Sequence, residues 1–202
     1  MGRVDPIRDE HTLIAVKKIL KQMSLREWAL FAFGINAALR ISDLLGLRVG
    51  DVVSSDGSIR DELDCTVAKT GRHLKVHLPP NAREALQEYL EKGHPFPKKL
   101  DAPLFPANPS FVRHKTADTP ARKPVSRQWV NKVLKEAVER VEPDLNVGTH
   151  TMRKTWGYHA HQRHIPLGTI MDKLGHRSPS VTLRYLGIND DEVKRATLEL
   201  NL

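Results

Sequence analysis

The chain has 202 residues, 40% apolar and 28% charged, enough for one globular domain with a core of its own. No apolar run approaches the roughly 18 residues of a membrane span, and the start, MGRVDP, has neither a signal peptide's apolar stretch nor a myristoylation site, so a cytoplasmic protein is expected. Lys and Arg number 32 against 24 Asp and Glu, a balance of +8 that favours a polyanionic partner, and the single Cys65 excludes an internal disulfide and reads as a packing residue.

From Asp9 to Met23, Leu13, Val16, Leu20 and Met23 recur at spacings of three and four, which predicts an amphipathic helix. Ser24 caps a second helix over 25–38, whose Trp28, Leu30, Phe31, Phe33 and Ile35 cover most of its circumference, so burial on several sides is expected. A short third helix over 41–47 carries Leu44, Leu45 and Leu47. LDCTVAK and RHLKVHL then alternate with period two about Thr70-Gly71, a β-hairpin. Helix resumes over 81–91. Residues 93–125 hold seven of the 13 prolines and a basic cluster (Arg113, His114, Lys115, Arg122, Lys123), the composition of a long surface loop. Ser126 opens a basic helix to about 140 with Val130, Val133, Leu134 and Ala137 inward. Its Arg127 and Lys132, with Arg113, Lys115, Arg122 and Lys123 of the loop, are candidate contacts to phosphates. Further helices are expected over 150–163, 166–174, 179–185 and 189–199. The fold class is α+β, mainly α-helical, with one small antiparallel sheet.

Against this background several polar residues stand out. Arg40 sits between the apolar runs INAAL and ISDLLGL, with Asp43 three residues on to hold it. GTHTMRKTWGYHA places His150 and Arg153 three apart on one helix. LGHRSPSVTLRY places His176 nine residues before Tyr185, one of only three tyrosines. Two arginines, two histidines, the hairpin's Lys69 and a tyrosine are a set that cleaves a phosphodiester without metal. Arginine forks neutralise the non-bridging oxygens of the transition state, and a phenol ionises more easily than serine or water. Each residue also has a plainer reading: an Arg40–Asp43 ion pair, a polar face at His150 and Arg153, a turn lysine, an amphipathic tyrosine. HAHQRH (159–164) is read as a solvated face rather than a metal site, and Trp156 and Tyr158 as packing residues.

The plainer readings would have to hold together while matching a known order. ALRISDLLGLRVGDV, VAKTGRHLKVHLPP, THTMRKT and LGHRSPSVTLRY resemble the motifs of the tyrosine recombinase (phage integrase) family. The resemblance implies that Tyr185 attacks the scissile phosphate, that Arg40 and Arg153 hold its non-bridging oxygens, and that Lys69 protonates the departing 5′ oxygen. His150 would accept or share the nucleophile's proton, His176 would hydrogen-bond the phosphate, and Asp43 would support Arg40. It further implies double-stranded DNA as partner, no cofactor or metal, a homotetramer on DNA joined through the C-terminal helix, and a bacterial or phage-encoded protein at the nucleoid. Residues 1–202 would be a single catalytic domain without the family's usual N-terminal core-binding domain. Lys154 departs from the histidine that many members carry after the second arginine. A type IB topoisomerase-like enzyme and a non-catalytic DNA-binding regulator of the same fold are the rivals. The second predicts binding with no covalent adduct.

Overall fold

Asp9 ends an extended N-terminal stretch and starts α1 (Glu10–Met23), its carboxylate accepting the Thr12 N–H at 2.6 Å. This computed structural model describes residues 4–66, 71, 73–107, 123–188 and 198–199. Ser24 ends α1 and caps α2 (Leu25–Ala37), where Leu30, Phe31, Phe33 and Ile35 are all buried, as their spread around the helix requires. That helix is the centre of the molecule, packed by α1, by α5 (Pro80–Lys92) and by α7 (Thr151–Gln162). It stops at Ala38, which takes the left-handed conformation (φ 53°), uncommon for a residue with a Cβ. The chain turns there, and Arg40 becomes the N-cap of α3 (Ile41–Gly46) in extended backbone rather than a member of the helix that carries Asp43.

One further turn of helix, α4 (Val49–Val52), follows, with the Asp51 carboxylate accepting the Arg48 N–H at 2.7 Å. The predicted hairpin forms from β1 (Glu62–Thr66) and β2 (His73–His77), antiparallel, with Leu63 opposite Val76 and Cys65 opposite Leu74. Of the surface loop expected over 93–125, the described residues 93–107 and 123–125 depart in part. Ala102, Leu104 and Phe105 are buried, and Phe105 stacks on Tyr89 of α5 with ring centroids 5.8 Å apart. Proline content predicted the irregular path but not its depth: Leu104 N–H donates to Leu47 O, Val49 N–H to Ala102 O and Val125 N–H to Phe105 O, so the backbone is satisfied without a helix or ladder.

Ser126 caps α6 (Arg127–Glu139), which buries Val130, Val133, Leu134 and Ala137 as predicted. Trp129 Nε1–H of α6 donates to Oε1 of the buried Glu27 of α2 at 2.9 Å, an oxygen that also accepts from Arg26, so a polar link fixes the helix to the core. The remaining helices described in full are α7, α8 (Leu167–Leu174) and α9 (Pro179–Leu186). Of the helix expected over 189–199, only 198 and 199 lie among the described residues, both helical.

Two glycines set where α7 sits. A Cβ on Gly34 of α2 would stand 2.7 Å from the Met152 sulfur of α7, and one on Gly157 of α7 would collide with Leu186 of α9. At both positions a side chain in place of the glycine would displace the neighbour that now packs against it. Most buried apolar residues form one cluster around α2, whereas Ala160, Ile170, Leu174 and Leu186 form a second, small one, with Trp156, Tyr185 and Ile188 against it. Helix α7 contributes to both. No described helix is long and apolar enough to cross a membrane.

Candidate active site

The N-terminal stretch runs along α7 and holds it by side chains as well as backbone. Asp5 N–H donates to Asn146 O at 2.7 Å, Ile7 N–H to Thr155 Oγ1 at 3.0 Å, and Thr151 Oγ1 to Asp5 O at 2.8 Å. At the start of this braced helix His150 is the N-cap, exposed, while Arg153 is only 5% exposed. The two expected on one face therefore meet different surroundings. Arg153 sends one guanidinium nitrogen to Ala38 O and another to Leu174 O. These are the carbonyls just beyond α2 and at the end of α8, where helices leave acceptors without partners. Burial lowers the Arg153 pKa, as does Arg40, while Tyr185 and Asp43 oppose that shift; the group remains a cation.

Gly175, left-handed at φ 56°, ends α8 and turns His176 toward α9. The His176 ring meets the Tyr185 ring edge-on, centroids 4.9 Å apart and planes at 85°. Its Nδ1 lies 3.2 Å from Thr182 Oγ1, whose own proton goes to Ser178 O at 2.9 Å. The hydroxyl can then only accept, so His176 carries its proton on Nδ1. Nε2 is an acceptor in the neutral ring and a donor only in the charged one. Burial, then Arg153 and Arg40, lower the His176 pKa.

Tyr185, on the last turn of α9, packs on the small cluster, and its hydroxyl is buried without a hydrogen bond of normal geometry. Burial raises its pKa, and Arg153 and then Arg40 pull it back. Half-buried Arg40 lies within electrostatic reach of Arg153, His150, His176 and Tyr185, acting on the ionisation of each. Four sequence-predicted residues thus gather around the phenol. His150 stands at the rim, its pKa lowered by burial and then by Arg127, Arg153, Lys154 and Arg40. Asp43 is felt by Arg153 and by Cys65 of β1, whose buried thiol is pushed up to about 11. The root of the hairpin therefore lies beside the site. Lys69, which follows β1 in the sequence, lies outside the described residues, as do Arg113, Lys115 and Arg122.

In front of Tyr185 is an open cleft of about 650 Å³, walled on one side by His150 and Lys154 and on the other by Arg127, Asn131 and Lys135 of α6. Spacings of four put those α6 residues on one face. Lys132, predicted with Arg127, is not on that wall; its ammonium lies 5.9 Å from the Trp129 ring centre. Lys123 is exposed at the edge of the segment before α6. Sequence reasoning missed Lys135, although its place eight residues after Arg127 was a usable signal. It also left Lys154 without a role. Among the described residues no group of three His, Cys, Asp or Glu is placed to hold a metal, and His161 and His164 form no such group.

Comparison with known proteins supplies independent information. A model of the Phage integrase family matches residues 9–192. The probable integrase/recombinase YoeC of Bacillus subtilis (strain 168) is 36% identical over 97% of this chain and 96% of its own length. The chain spans about half the length of the tyrosine recombinases XerC and XerD that it also matches. Among solved structures, XerA recombinase superposes with a TM-score of 0.70 at 15% identity, over 100% of this chain and 66% of that one. XerH site-specific recombinase, bound to palindromic difH substrate in a post-cleavage complex, gives 0.69 at 16% identity, over 97% of this chain and 53% of that one.

Proposed function

Because this chain belongs to the phage integrase family, we propose that the cleft before Tyr185 receives a DNA strand and that the residues around the phenol cut and rejoin it. The protein is a site-specific DNA recombinase. The observation that carries the assignment of the nucleophile is the gathering of Arg40, Arg153 and His176 about one buried hydroxyl that faces the Arg153 guanidinium and makes no hydrogen bond of normal geometry. Buried hydroxyls are normally satisfied; the hydroxyl of the core residue Tyr89 is orphaned too, and what sets Tyr185 apart is the two arginines and the histidine around it.

In the proposed reaction the Tyr185 oxygen attacks the scissile phosphorus, its proton passing to His150 at the cleft rim. The bond to the 5′ oxygen breaks, leaving a 3′-phosphotyrosyl ester and a 5′ hydroxyl. Attack by a 5′ hydroxyl from another strand reverses the step and releases the tyrosine. The ester conserves the energy of the broken bond, so no high-energy cofactor enters. Arg40 and the donors of Arg153 not given to carbonyls face the non-bridging oxygens, where negative charge accumulates. His176 donates from Nε2 in its charged form, which a bound phosphate favours. Lys69, between the two strands in the sequence, supplies the proton to the 5′ oxygen. Arg127 and Lys135 contact phosphates along the duplex, with Lys132 and Lys123 as further contacts and the basic residues Arg113, Lys115 and Arg122 of the preceding segment adding to the positive charge. Four protomers act on two duplexes, joined by the segment after Tyr185.

The test uses a pool of nicked duplexes with randomised arms, incubated with protein and run on a denaturing gel. The expected result is a covalent protein–DNA band that Tyr185→Phe abolishes while native-gel binding to DNA persists. An undiminished band in that variant would remove Tyr185 as nucleophile. Binding by the wild type without any band would favour a regulator.

A further inference from the structure

The catalytic scheme leaves one buried charge without work. Lys154, next to Arg153 on α7, is only 4% exposed, although lysine is almost never this deeply buried without a partner. Its ammonium donates to the Val4 carbonyl at 2.8 Å and lies 5.0 Å from the centre of the Tyr185 ring. That is within the range at which a cation is held by an aromatic face. The extended backbone that supplies Val4 O is itself fastened to α7 through Asp5 and Ile7, so the ammonium has a fixed support.

We propose that Lys154 is a positioning residue for Tyr185, its ammonium braced by Val4 and stabilising the tyrosine's oxyanion as it forms. The inference rests on Tyr185 being the nucleophile. An aromatic face attracts a cation through its quadrupole, and ionising the hydroxyl puts further negative charge on the ring and oxygen. The interaction therefore grows as the nucleophile is made, the condition for lowering a barrier rather than merely binding. Arg153 and Arg40 also favour the ionised phenol, but Arg153 gives N–H bonds to Ala38 and Leu174 as well, and both arginines are assigned to the phosphate. A charge committed to the ring leaves them free for it.

Other charges also face Tyr185: Arg153 from the same helix, Arg40 before α3, His176 after α8, and His150, Arg127, Lys135 and Arg184 around the cleft. The test must isolate Lys154. Lys154→Gln keeps a donor for Val4 O and loses the charge, whereas Lys154→Arg keeps both. With tyrosine labelled with ¹³C at Cζ, and the Tyr185 signal assigned by its loss in Tyr185→Phe, the ionisation midpoint is read by NMR. In the glutamine variant the midpoint is expected to rise by about one pH unit. Adduct formation at neutral pH should fall roughly tenfold, recover as pH is raised, and be restored by arginine. An unchanged midpoint in folded Lys154→Gln, or no rescue by arginine, overturns the proposal.

A second measurement needs no variant at Lys154. With lysine labelled at Cε, the Lys154 signal should move at the Tyr185 midpoint in wild type and stay still over that range in Tyr185→Phe. A signal insensitive to Tyr185 ionisation also overturns the proposal. These titrations stand apart from the nucleophile assignment, whose failure would appear as an adduct persisting in Tyr185→Phe.

Discussion

Arg153 holds the ends of two helices before it meets any substrate, one guanidinium nitrogen on Ala38 O and another on Leu174 O. A lysine keeps the charge but cannot span two carbonyls and a phosphate from a planar fork. Arg153→Lys is therefore expected to cleave nearly as poorly as Arg153→Ala, both roughly 100- to 1,000-fold below wild type in single-turnover adduct formation. Each should also lose about 1–3 kcal/mol in urea unfolding from the carbonyls left unserved. A lysine variant with near-normal cleavage would mean that charge alone suffices at this position. Arg40 stood out because it puts an expensive polar group inside an apolar run, and His150, Arg153, His176 and Tyr185 because their motifs follow the family's order. The carbonyl clasp of Arg153 and the bracing of Lys154 were not legible, since both partners are backbone atoms more than 20 residues away or supplied by Val4, and backbone atoms carry no residue identity.

At the level of elements, the helix that presents Tyr185 is seated by an absence of side chain. Gly157 lets Leu186 of α9 lie against the backbone of α7, and the tyrosine is one residue away from that contact. Gly157→Ala adds the best helix-forming side chain to α7 yet should push α9 outward. The expected cost is about 1–3 kcal/mol of stability and a fall in adduct formation of at least tenfold, with DNA binding little changed. If alanine leaves cleavage intact, the seating of α9 does not depend on that close approach. The long periodic helices α1, α2, α5 and α6 were all anticipated, because three or more turns repeat the apolar spacing often enough to be read. Helix α4, four residues long, has no room for a period, and the burial of Leu104 and Phe105 depends on partners at Leu47, Val49 and Val125 that no local pattern announces. The hairpin was anticipated from its alternation, and its register places Leu63 and Val76 together on the buried side.

Across the whole molecule, apolar burial is unequally divided. The large cluster surrounds α2, while α8 and α9 rest on the small one formed by Ala160, Ile170, Leu174 and Leu186. Fewer buried contacts mean a lower free energy of local opening. Native-state hydrogen exchange should therefore find the amides of α8 and α9 opening before those of α2 and α5, which should exchange only with global unfolding. Equal protection in both groups would show a single cooperative unit. Heat resistance and turnover become separable traits on this division. Substitutions that fill the large cluster raise the temperature at which the body melts without altering how often the helix of Tyr185 lifts. A directed-evolution campaign scored by survival of heating would accordingly accumulate changes around α2 and exert little selection on α8 and α9, which carry the proposed nucleophile.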